Sequence, residues 1–194
     1  NARMTNPRDE GKIAPGLLVA PPGLVDPNFQ QTVVAVALHN EEGAMGFIVN
    51  RLTELSLEDV LRELEIDLMA PDRGVMLGGP VSTYSGFLLY EHLPQMAVAP
   101  GFALSPTLSI SPSRDLLREA AAGDLPGRFE LLLGYAGWGP TQLEAELQRG
   151  GWLHMPFDAG LLLDVPVLER WTEAYARLGK SPLSFVNVPG GAQA

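Results

Sequence analysis

Apolar positions along the chain fall into short runs separated by polar, glycine- and proline-rich stretches. Residues Gly16 to Ala20, Val33 to Leu38 and Ala44 to Val49 read as buried strands, and Glu41-Glu42-Gly43 between the last two predicts a hairpin. The small residues Gly43, Ala44 and Gly46 would let a second backbone approach closely, a packing role favoured over a ligand role.

A change from alternating to helical spacing follows. Leu57, Val60, Leu61 and Leu64 share one face of a predicted helix over residues 57–65, with Ser56 as its cap and Asp59 near its positive end. Strands are expected at Val75 to Leu77 and Gly86 to Tyr90, joined around Gly78-Gly79-Pro80 as a second hairpin-like unit. Phe102, Leu104, Leu108 and Ile110 alternate within a proline- and serine-rich segment, as short edge strands would.

In the remaining chain, Ser111-Pro112 should open a helix that Gly123 stops, and Arg128 to Leu133 should form a strand. Gly139-Pro140 should start a helix carrying Leu143 and Leu147. Leu161 to Leu163 reads as a further strand, and Pro166 as the start of a last helix with Leu168, Trp171, Tyr175 and Leu178 on its apolar side. Strand clusters separated by short helices predict an α+β fold with a mixed or mainly antiparallel sheet. We expect one domain over residues 16–188, a flexible N-terminus over 1–15 and a flexible tail over 189–194. Asn1-Ala2-Arg3 read as residues left by expression, with the natural start at Met4.

Composition narrows the function. No cysteine is present, which excludes disulfides, thiolate nucleophiles and cysteine-held metals from this chain. A net charge of −10, with only 13 scattered basic residues, predicts no strong direct DNA binding by a monomer. Apolar runs such as Val33 to Leu38 are far shorter than the roughly 20 residues that span a bilayer, and no signal-like segment follows Met4, so a cytoplasmic location with no membrane contact is expected.

Candidate chemistry is sparse. His39, His92 and His154 lack metal-ligand spacing, and His39 with Glu41 and Glu42 reads as a solvated hairpin tip. Serines 105, 109, 111 and 113 lie in no nucleophile-elbow pattern and have no evident base, so no catalytic residue is assigned and the reading leans away from an enzyme. No cofactor or metal is expected. The segment Gly134-Tyr-Ala-Gly137-Trp138-Gly139 reads as a turn into a helix, where free amides could hold a small anion, although tight packing is favoured.

Three segments carry a family resemblance: Gly43-Ala-Met-Gly46-Phe-Ile-Val-Asn50, Gly78-Gly79-Pro80-Val81, and Leu131 to Leu153 with its Gly134-Tyr-Ala-Gly137-Trp138 core. Together they resemble the bacterial YqgE/AlgH family, over about Gly16 to Gly179. The resemblance implies a strongly bent, barrel-like sheet flanked by short helices, and a role associated with transcriptional regulation. Its matching positions mark a ligand or partner surface at Asp26, Phe29, Asn50, Gly78, Gly79, Pro80, Gly134, Gly137, Trp138, Gln142 and Glu146. Asn50 reads as a residue that pins a turn. Family members commonly have glycine where Thr141 stands here.

The preferred reading is a regulatory protein that acts through contacts with a protein partner rather than by catalysis. The alternative is a protein or enzyme that binds a small anion or nucleotide at the glycine-rich turns. A third is homo-oligomerisation through a sheet edge or the apolar segment Met96 to Leu104.

Overall fold

The computed structural model describes residues 13–179, so the expectations for the first twelve residues and for the tail lie outside the described residues. Its centre is a ten-stranded sheet, mostly antiparallel, curled into a half-barrel with a few short helices around it. Strand β1 (Gly16–Val19) lies between β10 (Leu153–Pro156) and β2 (Val33–Asn40). All four β1 residues are buried, which explains its uninterrupted apolar run: Leu17 and Val19 face one core, Leu18 another. The predicted hairpin forms between β2 and β3 (Gly43–Ile48), turning at Glu41-Glu42.

Next come β4 (Leu52–Ser56), α1 (Leu57–Glu63) and β5 (Gly74–Leu77). The predicted Ser56 cap of α1 forms, as one half of a capping box with Asp59, and the helix ends at Glu63, two residues before the expected end. Ser56 Oγ accepts from the Asp59 amide at 3.2 Å, and the Asp59 carboxylate accepts from the Ser56 amide at 2.9 Å. The expected hairpin of β5 with β6 (Val81–Glu91) does not form. Strand β5 pairs antiparallel with β4 and parallel with β9 (Phe129–Trp138), and β9 lies between β5 and β6. Both strands pair with β9 instead, β5 parallel and β6 antiparallel, so the chain between them crosses β9 rather than turning back along β5.

Strands β7 (Phe102–Ser105) and β8 (Leu108–Ser111) follow the predicted alternation; β7 is the edge and β8 sits inside it, against β6. Helix α2 (Arg114–Ala122) ends on Gly123 in the left-handed region, as expected, but its cap is Ser113, which accepts from the Leu116 amide at 3.2 Å. Ser111 is a buried strand residue whose hydroxyl donates to the Pro100 carbonyl at 2.6 Å.

The stretch expected to be a turn after Leu133 continues as strand, and β9 runs on to Trp138 before α3 (Gln142–Gln148). Leu161 to Leu163 belongs to helix α4 (Ala159–Leu163), capped by the Asp158 carboxylate on the Gly160 amide at 3.1 Å. A five-residue helix shows too little periodicity to be told from a strand. Pro166 introduces a 3-10 turn, Val167–Glu169, before α5 (Arg170–Arg177). The tighter turn rotates the face, so Leu168 is 76% exposed while Arg170 is 3% exposed.

One core joins residues from both halves of the sheet, including Val19, Ala35, Phe47, Leu89, Ile110 and Leu132, and is closed by Leu162 of α4 and Tyr175 of α5. The opposite face is covered twice. Trp138, Leu143 and Trp152 close it near β2 and β3, while α1 and α2 close it over β6 and β9 through Leu57, Leu61, Leu117 and Ala120. No helix among the described residues is long and apolar enough to cross a membrane.

Candidate functional site

The residues singled out from sequence fall into two groups. In the first, Asn50 Oδ1 accepts from the Val33 amide at 2.9 Å and its amide donates to the Gln31 carbonyl at 2.8 Å. Arg51 donates to the carbonyls of Pro27, Asn28 and Gln30. These bonds fix the loop in which Asp26 accepts from the Asn28 amide. The loop lays Phe29 against Trp138 and Trp152, with ring centroids 6.4 and 5.6 Å away. Gln142 accepts from the Gly139 amide at 2.9 Å, tying the start of α3 to the end of β9. Glu146 is half-buried, and its Oε2 has no hydrogen-bond partner among the described residues.

In the second group, Gly78, Gly79 and Gly134 come together. Gly78 donates to the Leu133 carbonyl and accepts from the Ile48 amide, both at 2.7 Å, which stitches β3 to β9. A Cβ on Gly79 would overlap the Tyr135 carbonyl, and one on Gly134 would overlap that of Gly79. The two glycine-rich segments thus fill each other's space, and both ends of the Asn50 amide and the side-chain oxygen of Gln142 are committed to backbone. Pro80 and Gly137 are exposed at the ends of this crossing.

Two of the histidines, His39 and His92, find partners that spacing did not reveal. His39 pairs with Glu144 of α3, away from Glu41 and Glu42. The serine segment does have a base beside it: His92 Nε2 lies 2.8 Å from Ser109 Oγ, and Nδ1 lies 3.1 Å from the Leu93 carbonyl. With Nδ1 donating, Nε2 accepts from the serine hydroxyl, which is the polarity of a nucleophile and base. Ser109 is only 2% exposed while His92 is half-buried, so the serine hydroxyl lies beneath the surface and the bond holds β8 to the loop after β6. No group of three or more potential metal ligands forms among the described residues.

A largely apolar groove lies elsewhere, between α1 and α2. Val81 faces Tyr135 and Gly86 faces Leu133, so five steps of β6 oppose two of β9 and the excess bulges outward. Ser82 takes φ 48°, and Tyr84 at the crest is 89% exposed. Beneath it is a groove of about 750 Å³ floored by Leu88, Leu131 and Leu133, with Leu55, Val60 and Leu64 on the α1 side and Leu117 on the α2 side. Leu55 is 44% exposed. Asp59 and Glu63 line the α1 wall, and Arg114 faces them from the start of α2. Sequence reading missed this surface because its apolar residues come from separate elements; the one local signal was Tyr84 isolated among Ser82, Thr83 and Ser85.

The AlgH-like family model (DUF179) matches residues 17–183. A UPF0301 protein of Anaeromyxobacter sp. (strain K) is 40% identical over 189 residues, covering 94% of this chain and 96% of that protein. One from Methylococcus capsulatus is 42% identical over 170 residues, covering 86% and 89%. Among solved structures, AlgH from Pseudomonas aeruginosa superposes with a TM-score of 0.75 at 39% identity, covering 100% of this chain and 98% of that one. Protein DIP2367 from Corynebacterium diphtheriae shares the fold, with a TM-score of 0.70 at 20% identity over 86% of this chain and 87% of that one.

Proposed function

The chain belongs to the AlgH-like family, and from that membership we propose that it is a regulatory protein acting by contact with a protein partner, which it holds in the groove between α1 and α2. The observation that carries this reading is an apolar trough of about 750 Å³ crested by Tyr84, an 89% exposed aromatic on a bulged strand. Exposed aromatic and aliphatic side chains around a trough supply the anchors on which interfaces depend. The occupant is an amphipathic helical segment. Charge sets its orientation: basic residues lie toward Asp59 and Glu63, and an acidic residue lies toward Arg114. A net charge of −10 fits an effect on transcription exerted without gripping nucleic acid.

Affinity co-purification of the tagged chain and its Leu55→Glu variant, each with and without nuclease, tests the reading. A stoichiometric protein carrying such a segment should survive nuclease and be lost from the variant. A partner held equally by both removes the groove from the account, and retention that nuclease abolishes removes the protein-contact reading itself.

A further inference from the structure

A second cavity, of about 370 Å³, opens between β4, β5, the start of β9 and α4. Its walls are mainly hydrocarbon, from Leu52, Met76, Leu89, Leu162, Leu163 and Val167, and its charged groups are Asp72, Arg73, Arg128 and Glu130. Three of these four are already matched. Glu130 is held at two points by Arg170. Arg128 pairs with Glu91 and Asp164. Asp72 accepts from the Glu58 and Arg73 amides, and the bond from Glu58 foremost holds its carboxyl below the usual range.

Arg73 is different. Its guanidinium lies over the Phe129 ring, 4.0 Å from the centroid, and Nη1 donates to the Phe129 carbonyl at 2.5 Å. No carboxylate lies within salt-bridge distance of it among the described residues, although its charge also helps to hold the neighbouring Asp72 carboxyl down, and its Nε is buried without a hydrogen-bond partner. A buried donor left unmatched is costly, and a planar guanidinium already oriented by stacking suits two-point binding of a planar anion.

We propose that this cavity binds a monocarboxylate with an apolar body, whose carboxylate meets Arg73 and whose hydrocarbon lies against Met76, Leu162 and Val167. One cation without a salt bridge, set beside the Asp72 carboxylate, favours no more than a single negative charge; a phosphate monoester would bring a second one toward Asp72 and Glu130. At the roughly 30 Å³ that a water-sized group occupies in a liquid, the space takes about a dozen non-hydrogen atoms. Octanoate is therefore a suitable probe. This site is independent of the groove.

The test titrates octanoate, and separately octanamide, into the isotope-labelled full chain and follows its NMR spectrum. Octanoate should saturate, move Met76, Leu162 and the Arg73 Nε–H most, and bind at least about tenfold more tightly than octanamide. Arg73→Gln should erase that preference. Leu52→Trp, at a 44% exposed position of the wall, should abolish binding of both probes with Arg73 intact, which keeps the test decisive where Arg73→Gln unfolds the chain. Octanoate that fails to saturate, binds no better than octanamide, or shifts residues elsewhere overturns the proposal.

Discussion

The guanidinium of Arg170 grips the Glu130 carboxylate at two points, Nη2 to Oε1 at 2.8 Å and Nη1 to Oε2 at 3.2 Å, from a side chain only 3% exposed. Its other N–H groups donate to the carbonyls of Val49, Leu162 and Val165. One side chain therefore satisfies every donor it owns and joins α5 to β9, to the end of α4 and to the chain leaving β3.

Removing Arg170 leaves the Glu130 charge and three carbonyls without their partner. Arg170→Met should cost roughly 3–5 kcal/mol. Glu130→Gln keeps the shape and one acceptor, and should cost about 1–2 kcal/mol. Urea unfolding of the two variants checks the ordering, and equal costs would show that the ion pair rather than the carbonyl contacts carries the effect.

The crossing of Gly78-Gly79 over Gly134-Tyr135 makes glycine a requirement of space. Gly79→Ala places a methyl inside the Tyr135 carbonyl and can be relieved only by parting β5 from β9, so a loss of about 3 kcal/mol or more is expected. Gly123→Ala meets nothing within 4 Å and suffers only its φ of 80°, a cost of about 1–2 kcal/mol. Thermal unfolding should separate the pair, and similar midpoints would show that the crossing yields easily.

Thr141 occupies φ 63°, ψ −2° at the N-cap of α3, and its side chain makes no capping bond there. A β-branched residue is strained in that region, which glycine enters freely, and the family resemblance marks this position as commonly glycine. Thr141→Gly should stabilise the chain by about 1 kcal/mol. For a chain of this length that raises the melting midpoint by roughly 2–4 °C. A lower midpoint would mean that the threonine side chain contributes something its geometry does not reveal.

Local features were legible in the sequence where cap, period and turn agreed. Ser56 with Asp59 and the Leu57/Leu61 spacing gave α1, and Glu41-Glu42-Gly43 between two apolar runs gave the first hairpin. Features decided at long range were not. Strand β4, in which Leu52 and Leu55 are both partly exposed, carries no clear burial pattern, and β9 takes β5 as a parallel partner that no turn announces. Arg170 reads as an ordinary polar position until Glu130 is seen beside it. Asn50 was legible as a turn-pinning residue because a short amide after a strand has backbone groups to bond nearby. The groove and the Arg73 cavity, each assembled from separated segments, left no contiguous trace.

The bulge that lifts Tyr84 carries a separate consequence for stability. Ser82 sits at φ 48°, and Tyr84 reaches into solvent at 89% exposure, so neither contributes packing that folding needs. Tyr84→Ala should then leave urea stability within about 0.5 kcal/mol, as surface substitutions do. Ser82→Gly should relieve its strained backbone and stabilise by about 1 kcal/mol. Under the partner reading, Tyr84→Ala weakens capture of the partner by an anchor's worth, roughly 2 kcal/mol or about thirtyfold, with folding untouched. A Tyr84→Ala chain that unfolds more readily, with capture falling only in proportion, would make the bulge a structural element and withdraw Tyr84 from the binding surface.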